Sequence, residues 1–395
     1  LDAPLGGLSS DVKRAFNHIG RKQVFHMGNH LGYPVELLTA WQKFLDNFVR
    51  RFDIRGCLGH KIMSDSGFPE GDPLSIVAML TVNWGYHVYM RIFVPKIQAY
   101  SFVDNLTLAA REAITVIQGH FAMLTYSGLF GLTMDEEKTF VWGLSTEMRK
   151  ALQQLGFPCQ YDASELGASM SYGFKIRNRH LKMRGTGMED KWKRLRASLA
   201  PFPQKLVMLH RVFWPKALHG SPSCVFADHY LTALRRAATK SLKINGAGSN
   251  PMLRLSISDN MQNDPGFYQL NHCLQTMRRL LRKTTDLLPM WKAWQRQFSG
   301  KLYPGPFTKL NLCLHQIGWS VEEPPWLRDH DQHQWNLVTV DDKTLQTLLH
   351  DAWCQFIASK VNHKTMQDLV GMDHTTTTLD YGKTLPMHRA LLSAL

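Results

Sequence analysis

The stretch between residues 75 and 130 allows few folds. Ser75 to Phe93 is apolar almost all round, which predicts a buried helix, and Arg111 to Phe130 predicts another. Between them, QAYSFVDNLTLA (Gln98 to Ala109) reads as a strand, a tight turn and a strand centred on Asp104 and Asn105. A helix, a hairpin and a helix in succession fit neither a bundle nor a sandwich. The expected fold class is therefore α+β, an antiparallel sheet with helices packed on it. Upstream, Leu37, Trp41, Phe44, Leu45, Phe48 and Phe52 recur at helical spacing, which predicts an amphipathic helix over Pro34 to Phe52. FDIRGCLGHKIM then alternates, SDSGFPEGDPLS is rich in turn residues, and GLTMDEEKTFVWG reads as a turn leading into a strand.

The 395 residues leave room for two or three domains, and 44% hydrophobic with 11% aromatic content is enough for real cores. Beyond about residue 185 the character changes to basic amphipathic helices. In LTALRRAATKSLKI, Leu231, Leu234, Ala238 and Leu242 share one face, while Arg235, Arg236, Lys240 and Lys243 spread over the other. LQTMRRLLRKTTDLLPMWKAWQRQF repeats the theme with Arg278, Arg279, Arg282, Lys283, Lys292 and Arg296. Either helix alone reads equally well as a solvated face. Two of them on a chain of net charge +14 favour contact with a polyanion, because cations that neutralise phosphates release counterions.

No run approaches the roughly 18 apolar residues of a spanning helix, so no membrane partner is expected. No secretory signal is visible, and the six cysteines are scattered singly, without zinc-knuckle spacing. An intracellular, reducing compartment is expected, whether nucleus or cytoplasm. DHDQH (Asp329 to His333) reads as a solvated loop, His26 and His30 as surface residues, and the short run Thr375 to Thr378 has no assignment.

Four stretches occur in a telling order: SSDVKRAFNHI around Asp11, GFPEGDPLS around Gly71, SFVDNL around Asp104, and LTMDEEKTFVWG around Lys138. In this respect the chain resembles a reverse transcriptase, particularly those of non-LTR retrotransposons and group II introns. The resemblance rests on Asp11 with Phe16, Pro69 to Gly71 with Pro73 to Ser75, Phe102 to Asn105, and Lys138 with Thr139. It runs from about Ser9 to Gly143. It continues more weakly through ELGASMSYGFKI, similar to a primer-grip hairpin, and RVFWPKALHG, similar to a thumb.

The resemblance implies a right-hand polymerase palm over residues 1–185, without its fingers, which are expected from an upstream part of a longer polyprotein. A thumb-like helical segment would span 186–250, and a basic helical region of unknown role 251–395. The implied activity is that of an RNA-directed DNA polymerase, a nucleotidyltransferase acting on an RNA template, a DNA primer and dNTPs. Two-ion chemistry of this kind needs carboxylates converging from separate strands, since hard cations take oxygen ligands. Asp11, Val12 and Asp104 are the implied sites for Mg²⁺ or Mn²⁺, with Asn105 and Lys138 beside them in catalysis. Phe16, Pro69, Glu70, Gly71 and Ser75 are the implied substrate-binding residues, Phe16 stacking on the sugar and excluding a ribose 2′-hydroxyl.

Plainer roles exist for several of these residues. An Asp at a helix start is often a cap, and Lys138 has Asp135, Glu136 and Glu137 nearby as salt-bridge partners. Two positions depart from the family: Asn105 replaces a second Asp, and Glu70 replaces a Gln. LGGLSS, before Asp11, is a poor strand former where an apolar strand is expected. A catalytically degenerate nucleic-acid-binding remnant and an RNA-dependent RNA polymerase are the rival readings, and Phe16 argues against the second.

Overall fold

The computed structural model describes residues 5–64, 66–165, 168–172, 179–226, 228–244, 250–257, 261–297 and 305–360. The chain divides into two compact units, Leu1–Tyr161 and Asp162–Leu395. The expected boundary near residue 185 lies inside the second.

The first unit opens with strand β1 (Gly6–Asp11), a single helical turn α1 (Ala15–His18), and helices α2 (Arg21–His30) and α3 (Val35–Asp46). The short strands β2 (Val49–Arg50), β3 (Asp53–Ile54), β4 (Cys57–Leu58) and β5 (Ile62–Met63) pair as β2 with β5 and β3 with β4. Then come α4 (Pro73–Phe93), the hairpin β6 (Gln98–Phe102) and β7 (Asn105–Ala110), α5 (Ala113–Leu129), β8 (Phe140–Gly143) and α6 (Thr146–Gln153). The main sheet is antiparallel with strand order β6-β7-β1-β8, and its Leu8, Leu108 and Val141 are fully buried.

The weak strand former is thus an inner strand. Its glycines are required by close packing: a Cβ on Gly7 would sit 2.1 Å from the Leu108 carbonyl oxygen, and one on Gly6 would sit 2.4 Å from Met148. Glycine in a strand often marks such an approach.

Two helices differ from expectation. The one predicted to reach Phe52 stops at Asp46, where the Asn47 side chain caps the Lys43 carbonyl at 2.8 Å, and Phe52 is left exposed. Helix α4 is not buried all round, because Ile76, Leu80 and Trp84 form an exposed stripe along it. Spacing of four places them on one face.

The second unit contains the hairpin β9 (Asp162–Glu165) and β10 (Ala168–Ser171), followed by α7 (Arg179–Thr186), α8 (Glu189–Ala197), α9 (Phe202–Met208) and α10 (Trp214–Ala217). A wider π turn, Leu209–Phe213, joins the last two. Pro215 lacks the N–H that would bond back to the preceding turn, which accounts for the irregularity. Helices α11 (Asp228–Leu242), α12 (Pro251–Ile257), α13 (Pro265–Lys283), α14 (Leu287–Gln297) and α15 (Pro306–Gln316) follow. A small antiparallel sheet, β11 (Ser320–Glu323), β12 (Trp326–Arg328) and β13 (Gln334–Asn336), precedes α16 (Asp342–Lys360). One apolar cluster gathers Trp192, Phe213, Trp214 and Leu234, and another gathers Trp291, Trp319 and Trp353.

Between these helices lies a buried ion pair. Arg235 on α11 donates to Asp264 through Nε at 2.7 Å and Nη2 at 2.9 Å, with the two side chains 11% and 0% exposed. Asp264 also accepts from the Gly266 amide at 2.7 Å and so caps α13. Removing one partner of such a pair strands a buried charge at a cost of about 3–5 kcal/mol. Asp264→Ala is expected to lower the unfolding free energy of the second unit by that amount, read from urea titration monitored by tryptophan fluorescence.

Candidate functional site

The hairpin between β6 and β7 turns through Val103 and Asp104, because Phe102 pairs with Asn105. Asn105 is therefore the first residue of β7 and not part of the turn centre. Val103 has φ of +55°, a region that β-branched residues seldom enter. The turn is held from both sides: Asn83 of α4 donates Nδ2 to the Val103 carbonyl at 2.9 Å, and the Val12 amide donates to the Asp104 carbonyl at 2.9 Å. Strain fixed in this way is common where geometry serves function.

The same register sets Asp11 opposite Asn105, so β1 ends beside Asp104. Burial pushes the Asp104 carboxyl up, the Asp11 charge adds to the rise, and a hydrogen bond at its own amide and the Lys138 charge offset part of it. Lys138 donates Nζ to Asp11 Oδ2 and lies 3.6 Å from Asp135 Oδ2. Its hydrogen bond to Asp11, and the charge behind it, hold the ammonium above its ordinary range. Glu136 and Glu137, the other acidic neighbours in sequence, form no ion pair with it. Lys138 is 62% exposed and Asp11 14%, so the lysine reaches in from the surface.

That lysine is placed by main-chain bonds to β1. The Asp135 amide donates to the Asp11 carbonyl at 2.7 Å, and the Lys138 amide to the Asp135 carbonyl at 3.1 Å. Thr139 is buried, with Oγ1 2.7 Å from Ser10 Oγ.

The glycine-rich loop docks on the turn that carries Phe16. The Phe68 amide donates to the Phe16 carbonyl at 2.6 Å, and the Gly67 amide to the Ile19 carbonyl at 3.0 Å. Gly67, at φ of +71°, lies so close that a Cβ would fall 2.4 Å from the Asn17 carbonyl oxygen. Asn17 donates Nδ2 to Glu70 at 3.2 Å, and Ser75 donates Oγ to the Pro69 carbonyl at 2.7 Å. Gly71 has φ of +90° and open space around it. Phe16 is half-buried against the core of the first unit. Two supports escaped the sequence reading. Asn83 lies between Val82 and Trp84 with its partner 20 residues away in the chain, while Arg21, buried with Nε on the Gly67 carbonyl at 2.8 Å, looks like any helix-start cation.

In the second unit Arg236 and Lys240 are exposed on α11, as is Lys243 one residue past the helix end at φ of +59°, whereas Arg235 is held by Asp264. The expected face of four cations is thus a pair on the helix and one just beyond its end. On the other basic stretch, Arg278 pairs with Asp342, Arg282 donates to the Val338 carbonyl, and Lys292 pairs with Glu323. The DHDQH loop is not simply solvated, since buried Asp329 accepts from the Asp331 and His333 amides and from Trp335 Nε1. His26 and His30 face each other at the surface, Nε2 to Nε2 at 3.1 Å. Of the stretch similar to a primer grip, residues 166–167 and 173–176 lie outside the described residues, as do Thr375 to Thr378.

Among the described residues no three His, Cys, Asp or Glu side chains converge to hold a metal ion, and no helix is long and apolar enough to cross a membrane. The donor set at the hairpin is two carboxylates, Asp11 and Asp104, that repel each other in a partly buried place. Mg²⁺ is commonly held by one or two carboxylates together with substrate phosphates, and these residues fit that pattern.

No protein-family model matches the sequence. No curated protein matches it either. Among solved structures, the chain is similar to telomerase from Candida tropicalis in complex with a TWJ fragment of telomeric RNA, at 9% identity and a TM-score of 0.34 over 62% of this chain and 48% of that one. It is also similar to telomerase from Candida albicans with such a fragment, at 12% identity and a TM-score of 0.36 over 68% and 47% of the two chains. The chain spans about half the length of these telomerase chains.

A carboxyl raised in the folded state favours folding while protonated, and that contribution is lost as pH rises through its folded value. Ionised Asp104 therefore destabilises the protein at neutral pH. Asp104→Asn is expected to raise the melting temperature at neutral pH without divalent ions, and to leave it unchanged in acid, where Asp104 is protonated. Thermal melts across that pH range in chelator check this.

Proposed function

We propose that the first unit is the palm of a template-directed nucleotidyltransferase that makes DNA on an RNA template, within a retrotransposon-like element. One observation carries the reading: two neighbouring strands deliver Asp11 and Asp104 to the same point, under a strained and doubly held turn. Asp11 and Asp104, with the backbone of Val12, would hold Mg²⁺ or Mn²⁺. Divalent ions there would lower the charge of the triphosphate and favour the ionised primer hydroxyl.

The chain's own groups do the rest. Lys138 offsets the charge of Asp11, and its long exposed stem lets the ammonium move to a departing pyrophosphate. The docked loop from Gly67 to Ser75 fixes the segment that carries Phe16, whose ring would close the space a 2′-hydroxyl needs. The exposed cations Arg236, Lys240 and Lys243 suit a nucleic-acid backbone.

Asn105 favours a second reading, a nucleic-acid-binding remnant. It supplies an amide, 3.5 Å from Asp104 Oδ1, where a further carboxylate would strengthen a cation site.

Primer extension on an RNA template, in Mg²⁺ and then Mn²⁺, separates the two. This chain and an upstream-extended version are compared with their Asp104→Ala variants. Extension that falls about a hundredfold or more in Asp104→Ala supports the polymerase. Binding of primer–template without extension in either metal, by both versions, supports the remnant. Phe16→Ala is expected to narrow the preference for dNTPs over NTPs by about tenfold or more, measured by competition in the same assay.

A further inference from the structure

Away from the carboxylates, the second unit holds a cavity of about 330 Å³ lined by Phe226, Leu231, Gln269, Lys309 and Cys313, with Asp228 and His315 also on its wall. Lys309 is only 6% exposed, yet among the described residues no carboxylate forms an ion pair with it. Its Nζ sits 4.0 Å from the centroid of the Phe226 ring. Burying an ammonium is costly unless something nearby stabilises the charge. Besides the ring, the groups close enough to feel that charge are thiols, Cys313 and Cys273 on facing helices α15 and α13, and Cys224. All three are buried and unpaired by disulfides.

The geometry points to Cys313 as a nucleophilic thiol that opens into this cavity and reacts with small disulfides, with Cys273 behind it as the resolving thiol. The Cys313 thiolate would attack one sulfur of a low-molecular-weight disulfide R–S–S–R, forming a mixed disulfide and releasing RS⁻. Cys273, as thiolate, would then attack the Cys313 sulfur, expelling the second RS⁻ and leaving a Cys273–Cys313 disulfide. In total, two protein thiols and one small disulfide become one protein disulfide and two small thiols. The activity stands apart from nucleotidyl transfer and does not depend on it.

Electrostatics agrees with the order of attack. The Cys273 thiol beside it, and then the Lys309 ammonium, draw the Cys313 thiol down against the opposing effects of burial and of Asp228. Cys273 is pushed up as the other half of that contact. Cys224 and Cys354, similarly buried, are pushed up to about 11 by burial. Lowering favours the thiolate that attacks, and the lower intrinsic nucleophilicity that comes with it takes back part of the gain.

The test is a time course of the native full chain with glutathione disulfide, followed by acid quench and peptide mass mapping. Expected are modification of Cys313 about tenfold or more ahead of Cys224 and Cys354, and its conversion to a Cys273–Cys313 bridge. Cys273→Ser should trap the mixed disulfide at Cys313. Lys309→Met, with its fold checked by circular dichroism, should slow Cys313 about tenfold and move the midpoint of its pH–rate profile upward. Modification of Cys313 no faster than Cys224 and Cys354, or a rate indifferent to Lys309→Met, would overturn the assignment. A mixed disulfide that persists in the unaltered chain would overturn the role of Cys273.

Discussion

The first unit depends on how closely β1 is gripped by its neighbours. At Gly7 the Leu108 carbonyl of β7 and the Trp142 ring of β8 both occupy the volume a side chain would need. Only a residue without Cβ fits there, so the glycines that weaken β1 as a strand are what admit it to the interior of the sheet. That position fixes the register, and the register places Asp11 opposite Asn105 and its amide neighbour Val12 under the Asp104 carbonyl. Everything in the candidate site follows from this one alignment. A slip of one residue would turn Asp11 to the other face.

Convergence of the two carboxylates has an electrostatic cost that the surroundings only partly relieve. Asp104 remains raised even with Lys138 nearby, because burial acts on it first and Asp11 adds to it. A third carboxylate at position 105 would add a further repulsion of up to about 4 kcal/mol at 4 Å and an effective dielectric near 20. Asn105 avoids that repulsion and gives up the same field for attracting a cation. Position 105 thus sets stability without a cation against the field that would attract one.

Much of the layout was legible in sequence because periodicity reports burial. The hairpin at Gln98 to Ala109 and the helices on either side of it appear where the pattern puts them. What stayed hidden depended on partners distant in the chain. In the run from Ser75 to Phe93, Ile76, Leu80 and Trp84 are as apolar as their buried neighbours, so nothing local marks them as exposed. Arg235 sits among cations on a helix, and its carboxylate partner lies 29 residues on, at the cap of α13. Likewise Asn47 gave no sign that its amide would end α3, since the apolar spacing continues past it to Phe52.

The same lesson bears on the charge of the chain. A net +14 describes composition, while the surface field depends on which cations the fold already uses. Arg235 and Arg278 are committed to carboxylates, Arg282 to a carbonyl, Lys309 to an aromatic ring and its thiol neighbours, and Arg21 to carbonyl oxygens. Each of these supports packing between helices or loops. The cations left for a polyanion are fewer than a count implies: Arg236 and Lys240 are exposed on α11 with Lys243 just past its end, and Arg279 and Lys283 are exposed one turn apart on α13. A phosphate backbone crossing α11 would meet Arg236 and Lys240 about one turn apart, with Lys243 just past the helix end, which is a footprint and not a diffuse attraction.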